Sequence, residues 1–156
     1  MTTDKASWDW ARRSREAAIQ MLYQWEVGRL AVSEVADSFW RIGDVEDDMP
    51  ERVRQRARAL VDGTVGAVGR IDPIISESSS HWRLDRMAIV DRLVLRLAVY
   101  ELLHEPGTPP AVVIDEALEL ARRFSSDDSV SFVNGVLDAI KRRIERGDIA
   151  AGPTSS

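Results

Sequence analysis

Val90-Asp91-Arg92-Leu93-Val94-Leu95-Arg96-Leu97-Ala98-Val99-Tyr100-Glu101-Leu102 is the most hydrophobic run in the chain. Its apolar residues fall on almost every side of a helical wheel, which predicts a buried central helix over about Ile89 to His104. Two features set it apart from a plain core helix. Arg96 and Glu101 lie inside it, and a charge buried without a partner is costly. Arg96 is therefore expected to pair with Glu116 or Glu101 and to lock this helix to the next one.

Working outward, apolar residues recur every three or four positions and no convincing alternating strand is found. Ser7 is placed to cap a first helix running to about Glu26 or Val27, with Ala11, Ala18, Leu22 and Trp25 inward and Gly28 as its stop. Ser33 opens a short second helix through Trp40. An acidic loop, Asp44 to Asp48, leads to a third helix with Pro50 in its first turn. A fourth is expected to begin near Asp72-Pro73, with Asp72 as cap, and to end at Ser78-Ser79-Ser80. Pro106 to Pro110 forces a turn before the sixth helix, which carries Val113, Ala117, Leu120, Ala121 and Phe124. Asp128 or Ser129 is expected to cap the seventh, whose stripe is Val133, Leu137, Ile140 and Ile144. This predicts an all-α fold of about seven helices in residues 1–146, with residues 147–156 as a flexible polar tail.

Composition limits function. The chain has 156 residues, 44% hydrophobic and 30% charged, which suits one globular domain. With no cysteine, disulfides, thiolate catalysis and Cys-ligated zinc are excluded. Two histidines, His81 and His104, do not make a histidine-rich metal site. No apolar run reaches the length of a membrane span and no secretory leader is visible, so a cytoplasmic location is expected. No phosphate-binding, zincin or nucleophile-elbow motif is present; no enzyme activity, metal or cofactor is expected. The net charge of −5 argues against nucleic-acid binding over the whole surface but leaves room for a local basic patch.

Arg12, Arg13 and Arg15 form such a patch on the first helix. They suit RNA phosphate contact, with Tyr23 and Trp25 two to three turns on for base stacking; read alone, they are more simply a solvated helix face. Arg52, Arg54, Arg56 and Arg58, spaced by two, spread over several faces and suit a solubilising surface. Asn134-Gly135 interrupts the last helix, where Gly costs about 1 kcal/mol against Ala; packing against a neighbour is the reading given to it. The exposed Asp127 and Asp128 just before that helix suit function better.

Four strings in order resemble the NusB family of transcription antitermination factors: Arg12 to Tyr23, Asp91 to Glu101, Val113 to Ala121, and Asp128 with Phe132-Val133-Asn134-Gly135. The likeness spans about residues 10–144. It implies seven helices in two small packed bundles, and a protein that pairs with NusE, a small-subunit ribosomal protein. Together the two bind boxA RNA and help RNA polymerase read through terminators, notably in ribosomal RNA operons. The resemblance places Arg12, Arg13, Arg15, Tyr23, Asp128 and Phe132 at RNA, and Tyr23, Asp91 and Val94 at the partner. Arg96, Glu116, Asn134 and Gly135 are left as structural. The basic start is thinner than is common in the family: residues 1–30 hold five Lys/Arg against four Asp/Glu, a net charge of +1. A protein-only homo-oligomer anchored by Trp8, Trp10, Trp25 and Trp40, or a module acting in trans with a ribosomal RNA methyltransferase, are the competing readings.

Overall fold

A computed structural model describes residues 2–41, 49–80 and 83–152, with side chains from residue 9 onward. The described secondary structure is all helical: seven α-helices and one 3₁₀ turn. The acidic loop 44–48 and the side chain of Trp8 lie outside the described residues. The backbone divides into two compact units, residues 1–65 and 66–156.

The first unit holds α1 (Thr2–Gly28), α2 (Val32–Phe39) and most of α3 (Glu51–Gly66). Helix α1 begins well before Ser7, because nothing from Thr2 to Ala6 breaks a helix, and Ser7 lies inside it. At its other end Arg29, not a glycine, takes the left-handed conformation at φ 55° that turns the chain. The inner row of α1 holds Ala18, Met21 and Leu22, all with no exposed surface. Helix α2 packs on α1 and buries Val35, Ala36 and Phe39. Helix α3 buries Val53, Ala57, Leu60 and Val61 at positions i, i+4, i+7 and i+8, one stripe of a 3.6-residue period.

The four alternating arginines of α3 do more than solubilise. The Arg52 guanidinium lies on the ring of Trp10. That of Arg54 stands 5.3 Å from the Trp40 centroid, within cation–π range, and Trp40 meets Phe39 edge-on at 4.8 Å. Arg58 bonds Asp62 at 2.9 Å. Trp10 and Trp40 thus each have an arginine beside the ring within their own unit.

The second unit is built on α5 (Ile89–His104), surrounded by α4 (Val68–Ser78), α6 (Pro110–Phe124) and α7 (Asp127–Glu145), with the 3₁₀ turn Leu84–Arg86 leading in. Ten of the sixteen residues of α5 are buried, which accounts for its lack of a polar face. Leu93, Val94, Leu95 and Leu97 are each at most 1% exposed, and each such burial contributes about 1.5–3 kcal/mol.

Helix α4 starts four residues earlier than expected and carries Pro73 inside it. Pro73 and Gly69 are both exposed, so the Gly69 carbonyl that Pro73 leaves without an amide partner faces water. Asp72 is consequently no cap. It takes Arg96 in a bidentate pair instead, with Nε on Oδ1 and Nη2 on Oδ2, both at 2.9 Å. This pair ties α5 to α4. Glu101 and Glu116 are buried as well, and neither is without a partner.

Helix α7 is capped by Ser126, whose Oγ accepts from the Ser129 amide at 3.2 Å, rather than by Asp128 or Ser129. After α7, Gly147 turns the chain at φ 80°. Residues 148–152 then lie back along the unit instead of leaving it, where a flexible tail was expected. Ile149 is buried, Arg70 donates to the carbonyls of Ala150 and Gly152, and the Gly152 amide bonds the Leu103 carbonyl.

His104 ends α5 with its ring stacked on Tyr100 at 5.0 Å and its Nε2 buried without a hydrogen bond. Burial, and then the charge of Arg70, push its pKa below 6.5, against a smaller opposing effect of Glu105. A histidine depressed in the folded state leaves the unfolded chain binding more protons as pH falls through the ordinary value, so acid removes stability there. Between about pH 7.5 and 5.5 the melting temperature should fall, and His104→Gln should flatten that slope. Equal slopes in melts of the two proteins would remove His104 as the cause.

Candidate functional site

Each unit presents one surface of interest. In the first unit it is the outer ridge of α1. Arg12 is exposed, and Arg13 is partly so, lying 4.0 Å from Asp9 and bonding the Met49 sulfur at 3.2 Å. Arg15 differs: it is 6% exposed and engaged inside the protein. It shares the inward row of Ala18 and Leu22, three and seven residues on. The patch is therefore built of two outward arginines rather than three.

Tyr23, eleven residues after Arg12, returns to the same side of the helix, roughly 16 Å further along it. It is 44% exposed, and Val27 and Leu30, at 49% and 41%, continue from it. An uncovered tyrosine and valine at i and i+4 form an apolar stripe of the kind that partner surfaces use, and exposed Leu30 follows just past the end of the helix. Sequence reasoning found Tyr23 but not Val27 or Leu30; their signal was apolar residues continuing past the point where the inner row of α1 ends. The ridge thus runs from cationic to apolar.

In the second unit the N-terminus of α7 meets the start of α5 around a cavity of about 230 Å³. Arg86, Met87 and Ala88 line it from the segment entering α5, Asp91 from α5 itself, and Asp128, Ser129 and Phe132 from α7. Asp91, Asp128 and Phe132, which the resemblance divides between protein and RNA, share this one space. Asp91 is 7% exposed. Its Oδ2 accepts from Ser129 Oγ at 2.9 Å. That hydroxyl is in turn 2.8 Å from Ser125 Oγ and 3.1 Å from Ser126 Oγ. Its Oδ1 is buried and has no hydrogen-bond partner. Asp128 is exposed, at the mouth, and Phe132 is half-buried.

Three expected site residues are placed otherwise. Val94 has no exposed surface, because α5 is enclosed on every side at that level, so it offers nothing for a partner to touch. Asn134 and Gly135 are both exposed, and a Cβ at Gly135 would meet nothing within 4 Å. The close helix approach expected there is absent from this chain's own packing. Among the described residues no cluster of three or more His, Asp or Glu is placed to hold a metal, and no helix is long and apolar enough to cross a membrane.

Comparison with known proteins identifies the family. The family model described as "NusB family" matches residues 12–142. The chain is 44% identical over 134 residues to a transcription antitermination protein NusB of Koribacter versatilis, covering 86% of this chain and 90% of that one. A NusB of Sorangium cellulosum is 45% identical over 136 residues, covering 86% and 93%. Among solved structures, NusB of T. maritima superposes with a TM-score of 0.77 at 34% identity, covering 88% and 96%. A chain from the crystal structure of antitermination factors NusB and NusE in complex with double-stranded RNA superposes with a TM-score of 0.74 at 27% identity, covering 86% and 97%. By its matched residues and by its relatives, this chain belongs to the NusB family of transcription antitermination proteins.

Proposed function

We propose that this protein is a transcription antitermination factor that binds boxA RNA together with NusE and promotes read-through, notably of ribosomal RNA operons. It works as a binding protein in the cytoplasm, without catalysis, cofactor or metal. The observation that carries the reading is the α1 ridge, which offers a different chemistry at each end. Arg12 and Arg13 take phosphates of the RNA. Tyr23, with Val27 and Leu30, takes NusE. In the second unit, Phe132 supplies an aromatic face for a base, and the Asp128 carboxylate at the mouth weakens the attraction of nearby phosphates.

With two outward arginines in the α1 patch and a net charge of −5, RNA affinity depends on the partner surface. Anisotropy of a labelled boxA RNA, titrated with this protein alone and with equimolar NusE, tests the proposal. Sequence-dependent binding that NusE strengthens is expected. Absence of RNA binding in both titrations would reduce the role to protein contacts. Each phosphate contact to a single strand contributes about −0.7 to the log–log salt slope. Arg12→Ala should therefore flatten the slope by about that amount, whereas Arg15→Ala should lower the melting temperature and leave the slope nearly unchanged.

A further inference from the structure

The arginines that alternate along α3 have no part in the function proposed above, and two of them are held in an unusual way. Arg52 and Arg54, two residues apart on a helix, point to nearly opposite sides of it. Arg52 lies on the ring of Trp10 from α1, and Arg54 stands 5.3 Å from the centroid of Trp40 at the end of α2. An aromatic ring takes the flat face of a guanidinium and leaves the N–H fork, which lies in the guanidinium plane, open to an anion. Among the described residues neither arginine is paired with a carboxylate. Arg58, one turn beyond Arg54, differs: Asp62 and Asp37 both answer it, at 2.9 and 3.8 Å.

Arg54 is half-buried, with its Nε enclosed and without a hydrogen bond, and a partly desolvated cation without an anion is unfavourable. The accessible part of its side chain lines a groove of about 610 Å³ between α2 and α3, beside Trp40, Gln55 and the exposed Arg41. Of the three carboxylates on this groove, Asp37 and Asp62 are taken by Arg58, which leaves Glu51. On the other side of α3 the surface continues into the α1 patch. Trp10 shares a face of α1 with Arg13 (i, i+3), and Arg13 reaches Met49, just ahead of α3. A cationic track therefore passes from α1 over the start of α3 to the groove, all within the first unit. A guanidinium fork matches phosphate and carboxylate alike; continuity with the phosphate-binding end of the α1 ridge favours a nucleic-acid strand over an acidic protein segment.

We propose that α3 carries the RNA strand beyond boxA: Arg52 and Arg54, held ready by Trp10 and Trp40, contact phosphates of the flanking nucleotides, with Arg41 beside them on the groove. This rests on the RNA-binding function proposed above and lengthens its footprint. Because the rings already order both side chains, little rotamer freedom is lost on binding. The contacts are to the backbone alone, so they add affinity and salt dependence without base preference.

The test compares two labelled RNAs in the presence of NusE: boxA alone, and boxA extended on both sides by oligouridine. The extended RNA should bind more tightly and with a steeper log–log salt slope. Arg52→Gln and Arg54→Gln should each flatten that slope by about 0.7, the share of one phosphate contact, and leave the slope on boxA alone unchanged. Replacing the flanking phosphates by uncharged methylphosphonates removes the same contacts with the protein untouched, and should bring the wild-type slope down to that of boxA alone. This second arm holds even if a variant folds poorly, which a thermal melt reports. Extended RNA that binds no better than boxA, slopes that both variants leave unchanged, or a full slope on the methylphosphonate RNA would overturn the proposal and leave boxA binding standing. So would a variant that loses NusE affinity in the absence of RNA while keeping both slopes; α3 would then belong to the protein partner. Failure of wild-type protein and NusE to bind boxA at either length is a different result, and removes the antitermination function itself.

Discussion

Asp72→Ala should lower the stability of this protein by about 3 kcal/mol, the range seen when one member of a buried ion pair is removed. Arg96 would lose both 2.9 Å bonds to the carboxylate. Its side chain is only 9% exposed, so water does not readily replace them, whereas that of Asp72 is 26% exposed, which keeps the loss toward the lower end. For a chain of this size the change corresponds to a fall in melting temperature of roughly 10 °C. Glu116→Ala tests the expectation drawn from sequence. If the α5–α4 pair is the main tie on Arg96, a double-mutant cycle of Asp72 with Arg96 will show a larger coupling than one of Glu116 with Arg96. The reverse order would return the principal lock to α6.

The second large effect is on RNA. Phe132→Ala should weaken binding of boxA RNA in the presence of NusE by roughly tenfold or more, since stacking a base on an aromatic ring contributes about 1–3 kcal/mol. Phe132 is half-buried on the cavity wall, so a thermal melt accompanies the titration to separate lost stacking from lost structure. The salt slope should stay nearly constant, because the ring carries no charge. A flattened slope with unchanged affinity at low salt would mean that the substitution acts by displacing Arg86 or the α1 arginines rather than by removing a stacking face.

Much of this architecture was written in apolar spacing. The central helix was bounded at Ile89 and His104 from hydrophobicity alone, and it was found with those bounds. Periodicity reports which face is buried and is insensitive to what lies opposite. That is why the helices were legible and their ties were not. Pro73 read as a helix start because proline favours first turns, yet on an exposed face it is tolerated five residues into α4. Once the helix was begun too late, Asp72 became a cap and its pairing with Arg96 was hidden. Arg15 was grouped with its neighbours in sequence, although the row Ala11, Ala18, Leu22 and Trp25 already passes through position 15 and pointed it inward. Gly135 was assigned to close packing, and the chain offers it only open space.

The site was legible in a similarly partial way. Arg12, Tyr23 and Phe132 were identified through short strings that the family shares, and each has surface to offer. The convergence of Asp91, Asp128 and Phe132 on one cavity was not accessible, because it depends on how the start of α7 meets the start of α5, a relation that no local pattern encodes. Val94 illustrates the opposite error: adjacency in sequence to Asp91 suggested a shared surface, and one turn along a helix enclosed on all sides there is none.

The contact between Arg70 and the carbonyls of Ala150 and Gly152 spans about eighty residues of chain, and so it bears on synthesis as well as on stability. A polypeptide emerges from the ribosome from its N-terminus. The unit ending at residue 65 has all its helices available early, when most of the protein is still untranslated. In the second unit the Arg70 guanidinium of the first helix receives these two carbonyls only once residues 150–152 have been made.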